Sequence, residues 1–315
     1  MWRLVLLSIA VLLAGCGGDR AGSPDDTGTA ATSDLSGRIL ADGSSTVGPY
    51  TTAAAERFRG VHPDVQITVG VSGTGGGFER FCAGETDLSN ASRAIKDEEK
   101  VACEAKGIEF VEFQIANDAL TVVVNPENDW VDCLAVAQLK KIWDTGSKVK
   151  SWNDVDPSFP DVPMKFYGAG TDSGTFDYFT DAINGEEGRS RSDYAATEDD
   201  NVTVQGVAGD KGALGYFGLS YYEQNKDRLK ALEIDGGDGC VAPSVETAQN
   251  GTYKPLSRPL FIYAKKASFE RPEVHAFIEF ILENEREIAE AAQFVPLTDE
   301  QLAKAKADLT AATSG

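Results

Sequence analysis

The sequence predicts an α/β protein built of two domains, and three observations carry that expectation. Strand-like and helix-like runs alternate along most of the chain, the order that produces layered α/β folds. Short Gly/Ser/Thr runs stand just ahead of helical patterns at three places: Gly43-Ser44-Ser45-Thr46, Ser72-Gly73-Thr74-Gly75-Gly76-Gly77 and Ser173-Gly174-Thr175. Finally, 315 residues with 42% hydrophobic content exceed one comfortable core.

The elements follow in order. Ile39-Leu40-Ala41 reads as a strand, and helical spacing of Tyr50, Ala54 and Phe58 after Val47 stops at Gly60. Val65, Ile67, Val69 and Val71 alternate as a strand, and the glycine-rich run leads into a helix at Phe78–Cys82. Asp87 to Ile95 forms a short strand and loop. Asp97 to Lys106 is a helix closed by Gly107, and Leu120 to Asn125 is a crossover strand. A second α/β region opens near Trp130, with a helix marked by Val136, Leu139, Ile142 and Trp143. The strand Lys165-Phe166-Tyr167 feeds the third Ser/Gly/Thr run, and Phe176, Phe179 and Ile183 form the stripe of the following helix. Glycines between Gly206 and Gly218 suggest turns and tight packing. Pro259 to Ala264 is a strand, Val274 to Ile288 the longest amphipathic helix, and Thr298 with Gln301 a capping box for the last helix.

The start of the chain sets its compartment. Arg3, the apolar run Leu4–Leu13 and the small residues Ala14-Gly15 before Cys16 form an export signal over residues 1–15. Leu13-Ala14-Gly15-Cys16 resembles a bacterial lipobox, so Cys16 is expected to carry lipid and anchor an exported protein to the membrane. Residues 16–37 hold few large apolar side chains and read as a flexible tether.

A formal charge of −21 argues against nucleic acid or an anionic membrane surface as partner. It leaves room for a small anion, because a buried site feels local dipoles more than screened surface charge. Cys82, Cys103, Cys133 and Cys240 are an even set in an exported chain, which favours disulfides, with three pairings open. Their spacing does not suit zinc, and no metal or cofactor is expected. Enzymatic readings fare poorly: no P-loop, dinucleotide fingerprint or Gly-x-Ser-x-Gly elbow occurs, and His62 and His275 have no evident nucleophile beside them.

The three runs carry the functional expectation. A helix N-terminus presents unpaired N–H groups and the positive end of its dipole, glycine permits close approach, and Ser/Thr hydroxyls add donors. Three such ends meeting at one point would hold a tetrahedral oxyanion through Ser44, Ser45, Thr46, Thr74, Gly75, Ser173, Gly174 and Thr175. Arg93 offers a two-pronged donor. Asp172 could accept a proton from phosphate, which sulfate does not carry; Asp177 and Asp118 are lesser candidates for that role.

Taken together these residues resemble the substrate-binding lipoproteins of bacterial ABC phosphate importers over about Leu40–Val295. Gly43–Pro49 looks like the family's first phosphate loop, Ser72–Gly77 the second, Asp87–Arg93 the third and Gly170–Phe176 the signature of the other domain, with Leu139–Trp143 a further similar segment. In well-known members an aspartate closes the third loop and an arginine lies four positions before the Ser-Gly-Thr signature. Here Arg93 and Ala169 stand at those places. The resemblance implies a two-lobed, type II periplasmic-binding-protein-like fold, each lobe a mixed sheet flanked by helices. It places residues 38–121 plus 251–315 in lobe 1 and 122–250 in lobe 2. On that division the preferred disulfides are Cys82–Cys103 and Cys133–Cys240, each within one lobe. The implied function is binding of inorganic phosphate by a monomer and its delivery to an ABC permease. Sulfate or molybdate binding, a secreted hydrolase and an envelope signalling protein are the alternatives.

Overall fold

In the computed structural model, which describes residues 35–313 apart from Asp172 and Glu198, the chain opens with β1 (Gly37–Gly43), whose last three residues are buried. The export signal, Cys16 and Asp172 lie outside the described residues. α1 (Gly48–Val61) carries Pro49 in its first turn, where a fixed φ and a missing N–H cost nothing. It buries Tyr50, Ala54 and Phe58, the expected stripe. β2 (Val65–Val69) follows.

α2 (Gly73–Cys82) corrects the sequence reading, because it begins at Gly73 and not at Phe78. The glycines are helical and serve close approach. A Cβ on Gly77 would lie 2.5 Å from the Gly43 Cα, so packing against the end of β1 outweighs the poor helix propensity of glycine. β3 (Leu88–Ala91) and α3 (Asp97–Ala105) come next, then β4 (Phe110–Val124). β4 is far longer than the expected Leu120–Asn125. Glu112, Gln114, Asn117 and Asp118 break its apolar pattern, yet it is ordered by pairing with partners at both ends.

The second region contains β5 (Cys133–Ala135), α4 (Val136–Trp143), α5 (Trp152–Val155), β6 (Lys165–Ala169) and α6 (Gly174–Asn184). It continues through β7 (Ala195–Thr197), α7 (Asp200–Ala208), β8 (Ala213–Gly218) and α8 (Leu219–Glu223). The short β9 (Lys230–Ala231), β10 (Glu233–Asp235), β11 (Cys240–Val241) and α9 (Val245–Gln249) complete it. Most of the stretch between Gly206 and Gly218 is helix and strand, with the turn confined to its middle. Gly206 is there for packing: a Cβ would sit 2.2 Å from Cε1 of Tyr167.

The chain returns along β12 (Ser257–Lys265) and a 3₁₀ turn (Lys266–Glu270) to α10 (Pro272–Glu283), α11 (Glu285–Ala291) and α12 (Asp299–Thr313). The single long helix expected over Val274–Ile288 is two helices. Asn284 leaves helical geometry at φ −109° and ψ 19°, and its side chain donates to the Phe280 carbonyl at 2.8 Å. The capping box at α12 forms as expected, with Thr298 N–H donating to Gln301 Oε1 at 2.9 Å and Gln301 N–H to Thr298 Oγ1 at 3.1 Å.

One nine-stranded mixed sheet runs in the order β2-β1-β3-β12-β4-β8-β6-β7, with β9 also on β4. β12 lies antiparallel to both β3 and β4, and the last residues of β4, Leu120–Val124, pair with β8. Helices flank it over two main apolar clusters. The first gathers Ile39, Tyr50, Phe58, Phe113, Leu260 and Phe277. The second gathers Trp143, Trp152, Phe166, Phe179, Tyr216 and Tyr253. This is the expected mixed α/β, periplasmic-binding-protein-like fold. Cys82 is bonded to Cys103 and Cys133 to Cys240. Among the described residues no helix is long and apolar enough to cross a membrane.

Candidate functional site

The Gly/Ser/Thr runs sit where β1, β2 and β6 end, the edge at which open α/β sheets hold ligands. The chain bends sharply there because each strand hands over to a helix within a few residues. Ser72 N–H donates to the Gly43 carbonyl at 3.1 Å and Ser44 N–H to the Asn90 carbonyl at 2.9 Å, so the first three loops are tied together. Thr74 Oγ1 and Ser92 Oγ are 3.0 Å apart, which links the start of α2 to the loop carrying Arg93.

A cavity of about 780 Å³ is lined by Ser44, Ser45, Thr46, Thr74, Gly75 and Arg93, six of the sequence-predicted residues. Ser173, Gly174 and Thr175 line a smaller cavity of about 190 Å³. Ser45 and Thr46 line both. The start of α6 therefore abuts the first loop: a Cβ on Gly174 would meet Thr46 Oγ1 at 2.9 Å and the Thr46 Cα at 3.1 Å. Ser173 caps α6, its Oγ accepting from Thr175 N–H at 3.1 Å. Ser44 is 2% exposed, and its Oγ accepts from Val47 N–H at 3.4 Å.

Arg93 lines the larger cavity while gripping Glu99 in a two-pronged pair, Nη1 to Oε2 at 2.8 Å and Nη2 to Oε1 at 2.7 Å. The Glu99 hydrogen bond, against the opposing effect of burial, holds the guanidinium above its ordinary range. Burial works to raise the Glu99 carboxyl, and hydrogen bonds from Arg93 and the Lys96 backbone overcome it to leave the group lowered.

Several further residues at the cavities are weakly signalled or unsignalled in the sequence. Arg258, on β12, lines the larger cavity. It donates from Nε and Nη2 to Asp118 Oδ2, both at 3.2 Å, and from Nη2 to Thr46 Oγ1 at 2.9 Å. Tyr178, one turn into α6, places its ring 3.6 Å from that guanidinium. Asp118 is buried, and that burial pushes its carboxyl up against the pull of Arg258. Asp177 accepts from Ser45 Oγ at 3.3 Å. With Asp181 and Glu187 it lines the larger cavity together with Arg93, Lys96 and Arg258. Burial, then the neighbouring Asp177, raises Glu187.

Hydroxyls, helix-terminal amides and guanidinium groups around a cavity at the strand ends belong to a protein that holds a small polar ligand. The chain belongs to the PBP superfamily: a family model described as a PBP superfamily domain matches residues 28–285. Protein SphX of Synechococcus elongatus is 50% identical over 262 residues, 82% of this chain and 77% of that protein. Phosphate-binding protein PstS of Staphylococcus epidermidis is 44% identical over 301 residues, 93% of this chain and 88% of that one. Among solved structures, a "possible phosphate binding protein" from Planctomyces limnophilus superposes with a TM-score of 0.86 at 49% identity, covering 88% of this chain and 99% of the other.

Proposed function

We propose that this chain binds inorganic phosphate outside the cytoplasm and delivers it to the permease of an ABC importer. One observation carries the reading. Ser45 and Thr46 belong to both cavities, so the first loop joins the cavity lined by Thr74, Gly75 and Arg93 to the smaller one lined by Ser173, Gly174 and Thr175. An oxyanion there loses its hydration, and amides, hydroxyls and guanidinium hydrogens take over the lost hydrogen bonds. Ser45, Thr46, Thr74, Gly75 and Arg93 contribute from one side and Ser173, Gly174 and Thr175 from the other. Ser44 shapes the first loop. The PstS name of a relative and its 44% identity support phosphate as the ligand.

The two sets of donors are assigned to two lobes, residues 38–121 with 251–315 and residues 122–250, which close on the ligand by a hinge. Asp172 is the acceptor for the phosphate proton in this reading, with Asp177, already bound to Ser45, as the second choice. Binding and release complete the task without catalysis. The export signal, lipid on Cys16 and the tether, which ends earlier than residue 37 because Gly37 already pairs in β1 and Leu35 packs on the first core cluster, keep a monomeric protein beside its permease.

Calorimetric titration with phosphate, sulfate and molybdate tests the proposal. Phosphate is expected to bind tightly and sulfate weakly. Arg93→Ala should weaken phosphate by about 10- to 100-fold, the worth of a charge-assisted hydrogen bond. Asp172→Asn should admit sulfate. Absence of phosphate binding by the unaltered protein, or equal affinity for sulfate, overturns the ligand assignment.

A further inference from the structure

Arg258 and Asp118 face each other directly across the antiparallel pair of β12 and β4. This is the stretch where the returning chain lies beside the longest strand. Asp118 occupies one edge of the guanidinium, taking hydrogens from Nε and Nη2. The second Nη2 hydrogen goes to Thr46 Oγ1. Among the described residues no acceptor is bonded to Nη1. The side chain is 17% exposed and lines the larger cavity, so the Nη1 hydrogens are accessible to whatever occupies that cavity. Guanidinium hydrogens that face a cavity and have no protein acceptor are available to an anion entering it.

Its surroundings fix it in place. The Tyr178 ring lies against the cation at 3.6 Å, and the Tyr178 hydroxyl donates to the Pro255 carbonyl at 2.8 Å, which holds the ring. Burial, with Arg258 opposing, raises the Tyr178 phenol, keeping it a donor. Thr46, by accepting from Arg258, has its own hydroxyl hydrogen left to give, and such chains of hydrogen bonds strengthen one another.

We propose that Arg258 is an anion-contacting arginine of this cleft. It acts on the ligand directly through Nη1 and indirectly by orienting the Thr46 hydroxyl, with Asp118 and Tyr178 as its positioning residues. This rests on the phosphate-binding reading above. It moves an essential positive donor to the returning strand, into a contact shared by the first loop and α6.

Calorimetry of the full-length protein with inorganic phosphate tests it. Arg258→Gln should weaken binding by about 10- to 100-fold. Arg258→Lys should recover only part, since a point charge cannot replace a planar fork. Tyr178→Leu removes the stacked ring and should lose several-fold. The double variant Arg258→Gln/Asp118→Asn leaves no orphaned buried charge and keeps the test open if the single variant folds poorly. Thermal melts without phosphate separate the roles: a purely structural arginine would lower the midpoint and leave the affinity of the folded protein intact. Phosphate binding within twofold of the unaltered protein in the Lys and double variants overturns this inference alone. A lack of binding by the unaltered protein overturns the phosphate reading itself.

Discussion

Glu285 shows how a single residue away from the cleft sets the solution behaviour of the protein. It is 1% exposed at the start of α11, and its carboxylate accepts the Leu297 N–H at 2.7 Å. Burial raises the group from an ordinary value of 4.5 to about 7, and the Leu297 bond only partly offsets this. A carboxyl raised in the folded state binds its proton more tightly there than in the unfolded chain. Its contribution is therefore whole below about pH 4.5 and fades as pH rises through about 7. Glu285→Gln retains an acceptor for Leu297 without a proton to lose. Urea denaturation should find the variant about 1–3 kcal/mol more stable than the parent at pH 8 and nearly equal at pH 4.5; parallel pH profiles would refute the assignment. The residues of the cleft divide by how local their chemistry is. Ser45, Thr46, Thr74 and Ser173–Thr175 could be read from the sequence because a loop followed by a helix is a local pattern. Arg258 could not: its partner Asp118 is 140 residues away, and nothing near Arg258 marks it as different from an ordinary strand arginine. Asp118 is visible in the sequence only as a lesser acceptor candidate, and its bonds from Arg258 are set by pairing between distant strands.

At the scale of elements, the start of α6 is packed tightly on the first loop. Gly174 has the Thr46 backbone so close that a methyl group would fall 3.1 Å from its Cα and 3.2 Å from its N. A backbone neighbour cannot swing aside as a flexible side chain would. Gly174→Ala should cost about 1–3 kcal/mol as overpacking, felt as a loss of phosphate affinity of roughly 10- to 100-fold if α6 must seat against the first loop to bind. Titration together with a melt in the absence of phosphate checks this, and unchanged affinity would mean that the contact is dispensable. The same physics explains which elements the sequence disclosed. Short strands and stripes such as Phe176-Phe179-Ile183 follow periodicity alone. The start of α2 is hidden in the sequence because glycine reads as loop, although close approach to β1 makes Gly77 the residue that fits. β4 was shortened because Asn117 and Asp118 look like turn residues until partners on neighbouring strands and loops satisfy them. The break between α10 and α11 leaves the apolar spacing undisturbed, so periodicity passes over it.

For the molecule as a whole, the puzzle is how a chain of formal charge −21 takes up an anion. The cleft does not reverse that charge. Arg93 is paired with Glu99 and Arg258 with Asp118, while Lys96 shares the same cavity with three carboxylates, those of Asp177, Asp181 and Glu187. Attraction must then come from short-range, directed donors: loop amides, hydroxyls and the remaining guanidinium hydrogens. Such contacts act within hydrogen-bond distance and are little screened, whereas the repulsion an approaching phosphate meets is long-ranged and screened strongly. The two respond oppositely to salt. Screening length falls from roughly 30 Å at 0.01 M to about 3 Å at 1 M, which removes most of the repulsion and leaves the bound contacts in place. Phosphate affinity, measured by calorimetry in sodium chloride from 0.01 to about 0.5 M, should therefore hold steady or tighten as salt is added, with any gain arising in the association rate. A binding site that worked by net positive charge would behave the other way. A tenfold loss of affinity across that range would show that the cleft cations are not neutralised by their carboxylate partners, and would move the source of binding from oriented dipoles to bare charge.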